Sequence, residues 1–167
     1  AYGIVMEVDT GAILAMATMP DYNLNEPSVI TDKEVLKELS KIKDEDEYDV
    51  AYNNAVYLMW RNRAISDTYE PGSVFKIFTA AAGLEEGVIK GDSGIYCGGI
   101  YRYYKDYQPG CTSTHGTQNA VNAIYNSCNI YFYETARRLG IEKLNRYFDL
   151  FGLGQPTGIE LSESEGI

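Results

Sequence analysis

The stretch Tyr69-Glu70-Pro71-Gly72-Ser73-Val74-Phe75-Lys76 decides how the chain is read, together with its continuation Ile77-Phe78-Thr79-Ala80-Ala81-Ala82-Gly83-Leu84-Glu85-Glu86-Gly87. Pro71 and Gly72 fit poorly inside a helix, whereas Ser73 is a preferred N-cap or first-turn residue. The pattern predicts a helix over 73–87 that opens at Ser73 and closes at Gly87. Val74, Phe75, Ile77, Phe78, the alanines and Leu84 cover nearly every face, which predicts a buried helix. Ser73 and Lys76 stand three residues apart and share one face. Desolvation lowers the pKa of a lysine, which would suit Lys76 to take a proton from Ser73. Ser-x-x-Lys is equally the pattern of a capping serine followed by a lysine that reaches the surface, and alone it favours that plainer reading.

Working outward, 167 residues suit one core and are too few for two ordinary domains. A hydrophobic content of 45% beside 23% charged residues is that of a soluble globular domain, and no stretch is long enough for a membrane span. The formal charge of −10 argues against nucleic acid or an anionic membrane surface as a partner. Fifteen tyrosines, many of them within 101–107 and 125–133, suit an exposed surface or a groove for polar chains. Three cysteines are too few for a disulfide scaffold and lack the linear spacing of a zinc site, so no metal is expected. Cys97 and Cys111 bracket a Gly- and Tyr-rich segment and could pair in an oxidising compartment, which would leave Cys128 unpaired.

Residues 2–18 read as two apolar runs around Asp9-Thr10-Gly11, a β-hairpin signal. Val35, Leu36, Leu39 and Ile42 have helical spacing, with Thr31 and Glu34 as a capping box. The charge run 43–49 reads as a solvated loop or helix end, with calcium binding as the minor alternative. Residues 53–65 mix helix and turn. Residues 92–116, rich in Gly and Tyr, read as a flap-like excursion with few core candidates. Two helices, or one broken helix, follow over 118–139, with Asn126-Ser127-Cys128-Asn129 at the junction starting the second and Gly140 ending it. An amphipathic helix over 142–151 ends at Gly152. Both termini look cut, the first because strand begins at once, the second because 161–167 finish no element.

Ser127-x-Asn129, downstream of Ser73-x-x-Lys76, changes the weighting. The chain here resembles the penicillin-binding proteins, whose motif set is Ser-x-x-Lys, Ser-x-Asn and Lys-Thr-Gly. The hairpin around Asp9-Thr10-Gly11-Ala12-Ile13-Leu14-Ala15-Met16 is similar to the opening of their transpeptidase domain. Arg63-Ala64 leading into Tyr69-Glu70-Pro71-Gly72-Ser73, and His115-Gly116 followed by Ser127-Cys128-Asn129, resemble class B members. The likeness runs over essentially the whole chain, to Gly152-Leu153-Gly154 and Thr157-Gly158-Ile159. No Lys-Thr-Gly or Lys-Ser-Gly occurs in the sequence, so the resemblance implies a partial transpeptidase domain over 1–167, ending before the strand that carries the third motif and inactive by itself.

The resemblance implies an α+β fold shared with serine β-lactamases, with an N-terminal hairpin and a largely helical lobe. It makes Ser73 the acylated nucleophile, Lys76 its general base, Ser127 the relay to the leaving group, and Asn129 the residue that holds the substrate amide. The substrate would be a peptidoglycan stem peptide ending in D-Ala-D-Ala, β-lactams would acylate the same serine, and no cofactor is needed. The parent protein would be anchored in the bacterial membrane, act on its extracytoplasmic face and work beside cell-wall synthesis partners. Two alternatives stand beside this reading: a serine β-lactamase, for which no recognisable deacylating Glu motif is present, and a non-catalytic β-lactam sensor or binding domain. His115, the only histidine, is expected to be structural or part of the flap, since Lys76 already fills the base role. Cys128 is expected to be a small buried side chain without redox duty.

Overall fold

The structure is a computed structural model that describes residues 1–166; Ile167, the last residue of the irregular stretch 161–167, lies outside the described residues. Two compact units, each with its own core, replace the single core that the length suggests.

The first unit comprises residues 1–68 and 159–164. Strands β1 (Tyr2–Met6) and β2 (Ile13–Thr18) form the expected antiparallel hairpin, with Tyr2 opposite Thr18 and Val5 opposite Ala15. Gly11 supplies the positive φ of 75° that the turn requires. Helix α1 (Lys33–Leu39) starts one residue later than the capping-box reading placed it. The Asp32 carboxylate, not Thr31, accepts from the amides of Glu34 and Val35 at 2.9 and 3.2 Å. A carboxylate there satisfies orphan amides and also meets the positive end of the helix dipole. The same physics absorbs the charge run. Asp44 caps α2 (Glu45–Trp60) through the Glu47 amide, and Glu45, Asp46 and Glu47 fill its first turn. Ile30, Leu39 and Val56 form the small core, with Val35, Ile42 and Tyr48 packed around it. The Trp60 indole donates to the Pro27 carbonyl at 2.7 Å, and Tyr52 donates to that of Ser28 at 3.0 Å. A short helix, α3 (Arg63–Ser66), is capped by Asn62, whose side chain also accepts from Thr18 of the hairpin.

The second unit holds residues 69–158 and 165–166. A 310 turn (Gly72–Phe75) runs into α4 (Lys76–Glu85). This helix is not buried all round. Thr79, Ala80, Ala82 and Gly83 are buried, whereas Val74, Ile77 and Leu84 remain exposed, because within this unit α4 packs chiefly on α6 (Asn129–Leu139) and α7 (Ile141–Leu150). Contact with α6 is close at Gly83, where an added Cβ would lie 2.7 Å from the Thr135 methyl. Phe75 of the 310 turn and Phe78 of α4 meet Phe148 and Phe151 with ring centroids 4.4 and 5.0 Å apart.

Strands β3 (Ile95–Cys97) and β4 (Gly116–Gln118) pair antiparallel, and α5 (Ala120–Tyr125) follows. The stretch 92–116 contributes more to the core than its composition suggests. Ile95, Cys97 and Tyr101 are buried with Ile89, Tyr131 and Phe132, and the Tyr101 hydroxyl donates to Glu134 at 2.8 Å. Tyr103, Tyr104 and Tyr107 are exposed. Gly140, with φ 76°, ends α6 and opens α7. The result is α+β, with a small hairpin and a mostly helical lobe.

Candidate active site

The site lies wholly within the second unit. Gly72 adopts φ 56°, a left-handed conformation that glycine takes without strain, and turns the chain into the 310 segment that carries Ser73. No side-chain cap closes this turn or α4. Of the two places the sequence allowed, Ser73 takes the first turn and not the N-cap, and its hydroxyl is exposed beside Lys76.

Lys76 is half-buried, and its ammonium has four oxygens around it. Nζ lies 3.1 Å from Ser73 Oγ, 2.8 Å from both Oγ and the carbonyl oxygen of Ser127, and 2.6 Å from Asn129 Oδ1. Ser127 Oγ is 3.0 Å from Ser73 Oγ, which closes a triangle of two hydroxyls and one amine. Three ammonium protons cannot each serve a different one of four oxygens, so the contacts are shared and a proton can pass between neighbours. Burial lowers the Lys76 pKa from its ordinary value of 10.5, partly opposed by the charges of Cys111 and Cys128. Desolvation thus favours the neutral amine that a base for Ser73 requires.

The other wall is the junction between α5 and α6. Ser127 is the one non-glycine among the described residues with positive φ, at 50°. This conformation accompanies a side chain and a carbonyl that both lie within hydrogen-bond reach of Lys76. Cys128, not Ser127 or Asn126, occupies the N-cap of α6, and no side chain caps it. Asn129 uses its amide on both sides: Oδ1 accepts from Lys76, and Nδ2 donates to the Gly110 carbonyl at 3.3 Å. All four residues singled out from the sequence, Ser73, Lys76, Ser127 and Asn129, thus converge.

Behind this wall lies a grouping that the sequence reading missed. The thiols of Cys97, Cys111 and Cys128 and the ring of His115 fall within 4.8 Å of one another. The Cys97–Cys111 disulfide left open above is not formed, and all three cysteines are free. Both thiols instead approach His115 Nδ1, each at 3.6 Å. Burial raises the Cys128 thiol to about 12. Linear spacing gave no signal because the four residues come from β3, the inter-strand segment and the N-cap of α6. A test that pooled all Cys and His positions around Ser-x-Asn would have found them.

Residues 1–166 match the penicillin binding protein transpeptidase domain family. The peptidoglycan D,D-transpeptidase MrdA of Acinetobacter baumannii is 32% identical over 99% of this chain and 24% of its own length. The probable peptidoglycan D,D-transpeptidase FtsI of Caulobacter vibrioides is 35% identical over 98% of the chain and 24% of its own length. Among solved structures, Pseudomonas aeruginosa PBP2 superposes with a TM-score of 0.76 at 27% identity, covering 98% of this chain and 35% of that one. The chain spans about a quarter of the length of these curated relatives. It belongs to the penicillin binding protein transpeptidase domain family.

Proposed function

We propose that this chain is part of a peptidoglycan D,D-transpeptidase domain in which Ser73 is acylated by a stem peptide ending in D-Ala-D-Ala. The observation that carries the reading is the triangle of Ser73 Oγ, Lys76 Nζ and Ser127 Oγ, with every edge between 2.8 and 3.1 Å. Neutral Lys76 takes the Ser73 proton as Oγ attacks the penultimate D-Ala carbonyl. Backbone amides hold the developing oxyanion, one of them from Ser73 at the start of its helix. Ser127 passes a proton from the amine to the departing D-Ala nitrogen, which breaks the peptide bond and leaves an ester on Ser73. An amine from a neighbouring stem then reverses the sequence and forms the cross-link. Asn129 orients the substrate amide with the part of its side chain that faces Lys76.

In this assignment the hairpin 2–18 opens the domain, residues 73–87 form the nucleophile segment, and 92–116 form the excursion beside Asn129. The parent protein works at the extracytoplasmic face of the bacterial membrane with cell-wall synthesis partners, and β-lactams acylate Ser73. No helix among the described residues is long and apolar enough to cross a membrane. Since the 167 residues contain neither Lys-Thr-Gly nor Lys-Ser-Gly, the isolated chain is expected to acylate slowly. The serine β-lactamase reading gains nothing from relatives named as transpeptidases.

The test is to expose the intact protein to a labelled penicillin and map the adduct by peptide mass spectrometry. The expected product is a long-lived ester on the peptide containing Ser73. Label on another residue would refute the nucleophile assignment, and fast release of hydrolysed penicillin would return the β-lactamase reading.

A further inference from the structure

We propose that Gln118 and Asn126 are positioning residues that hold Ser127 in its left-handed turn, with its hydroxyl between Ser73 and Lys76. The inference rests on the relay role given to Ser127 above. Helix α5 ends on Asn126, and two backbone bonds close it. The Ser127 amide donates to the Ile124 carbonyl at 3.0 Å, and the Cys128 amide donates to that of Ala123 at 2.8 Å. This crossed pair is the Schellman ending, whose closing residue has positive φ and is usually glycine. Helix α7 ends with the same pair, Gly152 to Asp149 and Leu153 to Phe148, both at 3.0 Å, and its closing residue is Gly152 at φ 73°. In α5 the equivalent place belongs to Ser127, at φ 50°. A side chain there is strained, and such strain persists only where the surroundings hold it. Relaxation of the backbone would carry Oγ and the carbonyl oxygen away from Lys76, which both meet at 2.8 Å.

The holding contact comes from strand β4. Gln118, its last residue, is 5% exposed, and its Nε2 donates to the carbonyls of His115 at 2.8 Å and Thr117 at 3.2 Å. Two acceptors on one side leave the Gln118 amide a single orientation, with Oε1 turned toward the end of α5. An oxygen in that place needs a donor, and Asn126 Nδ2 supplies it at 2.8 Å. Removal of either partner leaves the other unsatisfied in a site that water reaches poorly. Asn126 immediately precedes Ser127, so this bond fixes the residue from which the left-handed turn departs. Helix α7 lacks the chemistry for such a tether, since its C-cap is Phe151. The turn that carries a hydroxyl is anchored through a side chain, and the glycine turn needs no anchor. Gln118 and Asn126 act through Ser127; neither takes a proton or holds substrate.

The experiment follows acylation of the intact protein by labelled penicillin over a range of concentrations, which separates the limiting rate from the half-saturating concentration. Asn126→Ala should lower the limiting rate by about 10–100-fold, the effect of a slightly misplaced proton-transfer group, and leave half-saturation nearly unchanged. Asn119→Ala, which removes the side-chain cap at the other end of α5, should lower the urea midpoint without slowing acylation. In a Ser127→Ala background, Asn126→Ala should slow acylation no further, because the group that it positions is gone. Gln118→Leu should reproduce the loss seen with Asn126→Ala. If it does not fold, Asn126→Ala, at a half-buried position, carries the test. The proposal is overturned by a wild-type limiting rate in Asn126→Ala, by an equal loss in Asn119→Ala, or by the full loss repeated in the Ser127→Ala background. A Ser127→Ala protein that acylates at the wild-type rate removes the relay role and this proposal with it. A slow Ser127→Ala beside a fast Asn126→Ala removes this proposal alone.

Discussion

Leaving aside α7, which opens on Gly140 without a side-chain cap, helix starts in this molecule fall into two kinds. Away from the site, α1, α2, α3 and α5 open on Asp32, Asp44, Asn62 and Asn119, and each of these side chains accepts from a backbone amide of the first turn. At the site, α4 and α6 have no side-chain cap, although Ser73, Ser127 and Asn129 lie at or beside their first turns. Those side chains face Lys76 instead. The first kind uses short polar residues to stabilise the chain, and the second leaves them to contact Lys76. Residues of one type at one kind of position therefore separate by partner, and substitutions should separate them by measurement.

The largest contrast is expected at Ser73. Ser73→Ala should eliminate the covalent penicillin adduct in intact-protein mass spectrometry while the unfolding midpoint stays near wild type; a residual adduct would place the nucleophile elsewhere. Lys76→Gln should slow acylation by about 10²–10⁴-fold, the usual worth of a positioned proton acceptor. In the wild type the acylation rate should climb with pH along a limb centred below 10.5, because burial holds Lys76 below that ordinary value. The linked stability has a definite sign. A lysine with a lowered folded pKa binds fewer protons folded than unfolded, so stability increases with pH from the lowered value up to 10.5 and is least below it. A rate limb at or above 10.5, seen in stopped-flow acylation, would show that the amine is not desolvated.

Gly83→Ala tests packing alone. Its new methyl would lie 2.7 Å from Thr135 Cγ2 and 3.0 Å from Ile89, both fully buried, so overpacking of about 1–3 kcal/mol should outweigh the helix propensity gained. Urea titration would register this as a lower midpoint, and an unchanged midpoint would mean that α4 and α6 can separate at no cost. The smallest effect belongs to the capped class: Asp44→Ala should cost about 1 kcal/mol and leave acylation unaltered. A change in acylation rate with Asp44→Ala would dissolve the distinction between the two kinds of start.

The same distinction explains what could be read before folding. The hairpin was legible because Asp9-Thr10-Gly11 between apolar runs is a local signal, and its geometry is local too. The helices of the second unit were legible from their period, with Gly140 and Gly152 as stops. Ser73, Lys76, Ser127 and Asn129 were legible only as a set, through the order of two motifs. For Ser73 the sequence left N-cap and first turn open, and the structure has it in the first turn, because propensity cannot tell which partner a hydroxyl will take. Burial of α4 was overstated because apolar periodicity counts faces and not the neighbours that cover them: Val74 and Ile77 are exposed. Thr31 lost the cap of α1 to Asp32 over a shift of one residue, a choice settled by carboxylate geometry. The Cys97, Cys111, His115 and Cys128 grouping was invisible to spacing because three elements supply it.

The left-handed backbone at Ser127 sets the range of sequences this site can explore. With φ at 50°, β-branched residues such as Val, Ile and Thr are excluded there by backbone strain before any question of chemistry arises. Gly, Asn and Asp keep the turn but lose the hydroxyl, and Ser alone combines a tolerated backbone with a small hydroxyl beside Lys76. The common route by which a serine drifts to threonine is closed at this position. Variation is therefore channelled to the residues around the turn and away from the turn itself.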